Sequence, residues 1–298
     1  MSITLARNSG FCFGVKRAIK LAEETAQKYG HAITIGPIIH NPQMVEKLDQ
    51  VGVKVVDDID SIEEGPVIIR SHGIPFESLQ KLADKKFKII DATCPDVAKA
   101  HKFAKLADKE NYEIFILGDP SHPEIIALKS YIKSEVHIWR EGDELPRKHF
   151  LKVAIICQTT QNSSNLDNLV KSLLPRCKEL RIFNTICNTT FDRQAASLDL
   201  AKESDIMIVI GGKNSANTLM LARLCSEFSV TKHIETAEEL EEDWFNQKEI
   251  NIGITAGAST PDSIITDIYN KIKVIVGESD SQVKNISDIP GYKEEPHE

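Results

Sequence analysis

Short apolar runs alternate with amphipathic stretches along almost the whole chain. The runs at 32–38, 67–69, 88–90, 113–117, 153–157, 205–210 and 250–255 are mostly apolar, as strands buried on both faces are. Between them, apolar positions recur at helical spacing. In 15–29, Val15, Ala18, Ile19, Ala22 and Ala26 fall on one stripe. Further helices are expected at 42–48, 76–85, 96–110, 124–132, 165–174, 190–202, 217–228 and 262–272. Strict alternation of buried strand and amphipathic helix predicts an α/β fold with mostly parallel sheets.

Three cysteines interrupt this pattern at equivalent places. Cys12 (Ser9-Gly10-Phe11-Cys12-Phe13-Gly14), Cys94 (Asp91-Ala92-Thr93-Cys94-Pro95) and Cys187 (Thr185-Ile186-Cys187-Asn188) each lie where a strand hands over to a helix, at nearly even spacing. The spacing predicts three α/β units: 13–94, 95–187 and 188–276, with the N-terminal strand 1–12 joining the third. A polar extension, 277–298, is expected to follow. A thiolate at a helix N-terminus is favoured by free N–H groups and the helix dipole, and Pro95 fits a first helical position. Three thiolates delivered to one centre would hold a metal or cluster and leave a position open for chemistry. Cys157 on a strand, Cys177 in a charged loop and Cys225 on a helix have no such setting and are read as structural.

Histidines form a second pattern. His40 (His40-Asn41-Pro42-Gln43), His72 (Ser71-His72-Gly73-Ile74-Pro75) and His122 (Ser121-His122-Pro123-Glu124) all lie past strand C-termini and ahead of helices. That edge of a parallel sheet is where ligands bind. Imidazoles beside helix N-termini make a cradle for phosphate oxygens. Glu124 opens a helix two residues after His122 and, if partly buried, could supply a proton to a leaving hydroxyl. The polar turns 158–161, 214–218 and 255–261 follow strands and enter helices. None matches a Walker A or dinucleotide fingerprint.

Bulk composition narrows the partners. The 298 residues are 41% hydrophobic and 27% charged, with a net charge of −8. A broad nucleic-acid surface is not expected, so an anionic ligand needs a local site. No apolar run approaches a membrane span and the N-terminus lacks a signal-peptide pattern, so a cytoplasmic protein is expected. Six cysteines there read as buried thiols or ligands, not as a disulfide framework.

Together the segments 10–19, 40–43, 71–75, 91–95, 122–124, 158–160, 185–187, 214–218 and 255–259 resemble the 4-hydroxy-3-methylbut-2-enyl diphosphate reductase family, in its order and spacing from about residue 3 to 275. The resemblance implies three similar lobes in a pseudo-three-fold arrangement around a central cluster cavity. It implies Cys12, Cys94 and Cys187 as ligands of one [4Fe–4S] cluster per chain with an open iron. His40, His72, His122, Ser215, Asn217 and Ser259 would bind the substrate diphosphate. Glu124 with Thr159 would place the substrate hydroxyl and deliver protons. The implied reaction is a two-electron reductive dehydroxylation of the allylic diphosphate to isopentenyl and dimethylallyl diphosphate, the last step of the non-mevalonate isoprenoid pathway. Electrons would come from a ferredoxin or flavodoxin. Ala216, Ala127, Ser130 and Thr189 depart from the family's usual residues. On the residues alone, a metal sensor or a zinc hydrolase using the same three cysteines stays open.

Overall fold

The computed structural model describes residues 2–247 and 249–277; the expected extension lies, from residue 278, outside the described residues. The chain forms two compact units. Among the described residues, one joins the segment ending at Cys12 to the segment from Thr189 to Gly277, and the other spans Phe13–Asn188.

In chain order the elements are β1 (Ser2–Leu5), α1 (Phe13–Tyr29), β2 (Ala32–Ile35), α2 (Pro42–Gln50), β3 (Val53–Val56), β4 (Pro66–Ile69), α3 (Phe76–Asp84), β5 (Lys88–Asp91) and α4 (Pro95–Lys109). They continue with β6 (Glu113–Leu117), α5 (Pro123–Ser130), β7 (Val136–Trp139), β8 (Phe150–Cys157), α6 (Ser163–Leu173), β9 (Cys177–Phe183) and α7 (Asn188–Glu203). The last are β10 (Ile206–Ile210), α8 (Ala216–Ser226), β11 (Val230–Ile234), β12 (Asn251–Ala256) and α9 (Asp262–Val276). The alternation expected from the sequence is therefore present, and every strand pairing among the described residues is parallel. No described helix is long and apolar enough to cross a membrane.

The strands make three four-stranded sheets in the orders β3-β2-β4-β5, β7-β6-β8-β9 and β11-β10-β12-β1. These are one topology repeated. In the third sheet the fourth place is filled from the chain's start, where β1 pairs with β12 from Ser2 opposite Asn251 to Leu5 opposite Ile254. In each sheet the winding reverses between the two central strands. Loops leaving the C-terminal ends of such strands part to opposite sides and open a crevice. Each repeat thus has one crevice between its central strands and one corner after its fourth strand.

Strand alternation builds the cores. Ile114 and Ile116 of β6 pack with Ala100, Ala104 and Ala107 of α4. Phe115 and Leu117 face the other way, onto Leu166, Leu169 and Leu173 of α6. In the other unit, Ile208 and Ile210 of β10 join Ile265, Ile268 and Ile272 of α9, while Met207 and Val209 meet Leu221 and Cys225 of α8. Burying both faces in this way explains the mostly apolar runs.

Candidate active site

Within the unit Phe13–Asn188, the crevice between β2 and β4 carries His40 and His72, and the crevice between β6 and β8 carries His122 and Thr159. The first two loops are tied together where Ile38 O accepts from Ser71 N (3.4 Å) and Ser71 Oγ (3.0 Å). The His40, His72 and His122 rings then meet, with centroids 4.6 Å (40–72), 5.6 Å (40–122) and 5.4 Å (72–122) apart. One ring nitrogen from each lies within 4.8 Å of the others.

Local sequence sets these positions. Asn41 caps α2, its side chain accepting from Met44 N at 2.8 Å, with Pro42 next. His122 caps α5 itself, ahead of Pro123, and its Nδ1 accepts from Glu124 N at 3.2 Å. A cap residue followed by a fixed-φ proline starts a helix sharply and leaves the cap side chain at the end of the helix. The bond to Nδ1 also fixes the neutral ring's proton on Nε2.

Burial holds all three imidazoles neutral. It is the main cause of the lowered His40 and His122 pKa, the latter to about 4, and His72 is pushed well below its usual value. The positive charge of Arg70 adds to the shift at each ring. The cluster therefore offers neutral N–H donors rather than imidazolium charges.

Glu124 is 1% exposed. Its Oε1 accepts from Thr159 N (2.7 Å) and its Oε2 from Thr159 Oγ1 (2.8 Å). Those two bonds favour the carboxylate, yet burial outweighs them and raises its pKa to about 7, with Asp96 adding to the rise. A carboxyl poised near neutrality can hold and release a proton. Thr159 also reaches the cysteines, since its carbonyl accepts from Cys187 N at 2.9 Å. Cys187 Sγ lies 3.1 Å from Asp96 Oδ2, in the first turn of α4, whose cap is Cys94. Cys94 N donates to Ser71 O at 2.9 Å, and Arg17 donates to Thr93 O (3.1 Å) and Asp91 O (3.2 Å). One unit thus brings together Cys94, Cys187, His40, His72, His122, Glu124 and Thr159.

The other unit gathers the rest. Ser215 and Asn217 follow β10, Ser259 follows β12, and Cys12 follows β1. Gly257 N donates to Ile210 O (2.8 Å), closing the two central-strand corners on one another. There is no room for a larger residue there: a Cβ on Gly257 would lie 2.1 Å from Thr218 Oγ1. Ser215 caps α8, accepting from Thr218 N at 3.4 Å. Asn217 is buried with neither its Oδ1 nor its Nδ2 hydrogen-bonded among the described residues. A buried amide left open at a helix start is fitted to a ligand that both donates and accepts, or to one bound with its water. Cys12 N donates to Ala258 O at 3.1 Å, beside Ser259.

The six cysteines divide in two by setting. Cys12, Cys94 and Cys187 are half-buried and each immediately precedes a helix. Cys157 and Cys225 are buried, and burial pushes both thiols up to about 12, so they stay protonated. Cys177, expected in a loop, instead opens β9, and burial raises its thiol too. Sequence reasoning missed Arg70 and Asp96. An acid in the first turn of a helix and a charged residue just past an apolar strand are both common, so neither position carries a signal of its own.

A family model described as LytB protein matches residues 3–273. The chain is 46% identical over 275 residues to a 4-hydroxy-3-methylbut-2-enyl diphosphate reductase of Geobacter sulfurreducens, covering 92% of this chain and 97% of that one. It is 45% identical over 280 residues to one of Nitratiruptor sp., covering 92% and 99%. A solved structure of (E)-4-hydroxy-3-methyl-but-2-enyl diphosphate reductase, the terminal enzyme of the non-mevalonate pathway, matches with a TM-score of 0.67 at 41% identity, over 92% of this chain and 100% of that one. The reductase structure from Plasmodium falciparum matches with a TM-score of 0.85 at 25% identity, over 98% and 95%. The family is known for an iron–sulfur cofactor. By the extent of the family match and the identity of these relatives, the chain belongs to the LytB family, whose matched members carry the name of that reductase.

Proposed function

We propose that this protein is a cytoplasmic reductase of (E)-4-hydroxy-3-methylbut-2-enyl diphosphate. It yields isopentenyl and dimethylallyl diphosphate, with a [4Fe–4S] cluster on Cys12, Cys94 and Cys187 and a ferredoxin or flavodoxin as electron donor. The strongest support is the place of Glu124. It is a buried carboxyl with a pKa of about 7, two residues from the His122 cap and joined through Thr159 to the backbone of Cys187. A metal sensor on the same cysteines has no use for that combination of proton donor and diphosphate cradle, and a zinc hydrolase would turn over without an electron donor.

The donor chemistry fits the cofactor. Three half-buried thiols at helix starts are suited to act as thiolate ligands, while the other buried thiols are held protonated. When bound, such a cluster supplies single electrons and a Lewis-acidic iron that no cysteine occupies.

The chain's own residues supply the rest. Neutral ring N–H groups of the histidine cluster, that of His122 on Nε2, hold the diphosphate with Ser215, Asn217 and Ser259. That anchoring spends binding energy on orienting the far end of the substrate. Replacing the hydroxyl by hydrogen takes two electrons and two protons and releases water. Hydroxide leaves poorly, so the first proton goes to the departing oxygen, and Glu124 is the group to give it. Its two bonds from Thr159 fix the carboxyl's orientation. Reprotonated, Glu124 can pass the second proton to the allylic carbon, the end protonated setting which product forms.

The test is an anaerobic assay of the reconstituted protein with the allylic diphosphate and a one-electron donor. The expected result is both isomeric products at two electrons per substrate. Donor consumed with the substrate left intact, or pyrophosphate released instead, would refute the assignment.

A further inference from the structure

Arg70 stands in an uncommon situation. It leaves the end of β4 two residues before His72 and is half-buried. Among the described residues, no carboxylate or carbonyl pairs with its guanidinium, and its Nε is buried with no hydrogen-bond partner. Space for the guanidinium is provided by Gly36, where the chain leaves β2: a Cβ there would lie 2.6 Å from an Arg70 terminal nitrogen. Gly36 also has φ +69°, a conformation that favours glycine. So the two loops that present His40 and His72 are shaped around a cation. Withdrawing a cation from water with no counter-charge is costly, and such a group is normally paired. Guanidinium stays protonated even so.

We infer that Arg70 provides the permanent positive charge of the diphosphate site, the substrate's anion being its missing partner. This rests on the function proposed above. The histidines around it donate hydrogen bonds but stay neutral, and no other Lys or Arg is placed among these three rings by the interactions described. A diphosphate arriving at the cradle finds shape and N–H donors from the imidazoles and its charge from Arg70. Gly36 has its role here as well, since a side chain at that position would displace the guanidinium.

Arg70→Met keeps the apolar stem and removes the charge; Arg70→Lys keeps the charge and loses the planar fork. Binding of inorganic pyrophosphate to the reconstituted wild type and both variants is measured by calorimetry, beside KM and kcat for the allylic diphosphate. Arg70→Met is expected to bind pyrophosphate about 10- to 100-fold more weakly, the range of one charge-assisted hydrogen bond, with the loss falling on KM rather than kcat. Arg70→Lys is expected to recover most of that affinity. Wild-type pyrophosphate affinity in Arg70→Met, or equal losses in Met and Lys, would overturn the assignment of charge while leaving the reductase function standing. A wild type that binds pyrophosphate through Arg70 but does not reduce the allylic diphosphate would instead remove the proposed function.

Discussion

The proton chemistry proposed for Glu124 rests on surroundings that contradict one another. Two hydrogen bonds from Thr159 favour the carboxylate and burial disfavours it, with burial dominant. With a pKa of about 7, the proton-donating form is lost as pH rises. Turnover is therefore expected to fall on the alkaline side of about 7, read from a kcat profile on the holoenzyme. Glu124→Gln keeps the shape without the transferable proton. We expect its iron content to match wild type and its kcat to fall by about 10²- to 10⁴-fold, the usual range for general acid catalysis. Cys94→Ser is expected to lose iron, sulfide and activity together, while Cys225→Ser, whose thiol is buried and protonated, keeps all three. Metal analysis of the two variants side by side decides it. Residues of this kind were legible in the sequence because each stands at a strand-to-helix corner. Arg70 was not, because its meaning comes from what fails to pair with it.

At the scale of elements, the sequence showed the central strands together with β1 and β5, and hid the other four edge strands among the described residues. β2, β4, β6, β8, β10 and β12 are apolar runs buried on both faces. β3, β7, β9 and β11 escaped notice, and every one of them is a sheet edge. An edge strand is covered on fewer sides and tolerates charge, as Lys178, Glu179 and Arg181 do in β9. The same charges made Cys177 look like a loop residue. β2 ends at Ile35, short of the expected 38, because Gly36 turns the chain; Ile38 and Ile39 are buried in the loop beyond it. Ser130, a departure from the family's usual residue, has a structural use. Its Oγ accepts from Phe76 N (2.8 Å) and donates to Ala127 O (2.6 Å), joining the start of α3 to the end of α5. In the other unit, Gly257→Ala would place a methyl 2.1 Å from the Oγ1 of a fully buried threonine, Thr218. Overpacking of that sort costs about 1–3 kcal/mol. A lowered Tm is expected from calorimetry, together with weaker pyrophosphate binding, because Ser215 and Asn217 open the same helix.

Across the whole molecule, one four-strand topology occurs three times and assigns chemistry by position. A cysteine follows the fourth strand in each sheet, and the polar residues proposed to bind substrate follow the two central strands: His40 and His72, His122 and Thr159, then Ser215, Asn217 and Ser259. The sequence showed the cysteine spacing and the joining of the N-terminal strand to the third unit, which β1 pairing with β12 bears out, but not the shared strand order, because four edge strands were not visible in it. Burial of neutral histidines also makes the fold acid-sensitive. His101 is 9% exposed and its pKa is lowered to about 4, by burial first and then by Lys105. An unfolded histidine titrates near 6.5, so the unfolded chain takes up the proton first as pH falls. Stability present above about 6.5 is therefore lost on the way down to about 4. His101→Gln should gain on wild type by about 3 kcal/mol between pH 7 and pH 4, as seen by denaturant unfolding. A constant gap over that interval would mean that His101 is not held neutral.

The central claim joins a three-cysteine cluster to reduction of an allylic diphosphate, and a single turnover tests both at once. The anaerobically reconstituted protein is reduced and mixed with (E)-4-hydroxy-3-methylbut-2-enyl diphosphate and a metered one-electron donor, cluster and donor together supplying two electrons per substrate, while its visible absorption is followed. The expected result is return of the oxidised spectrum with isopentenyl and dimethylallyl diphosphate formed, and no such return with inorganic pyrophosphate alone. A spectrum that stays bleached while intact substrate is recovered would contradict the claim.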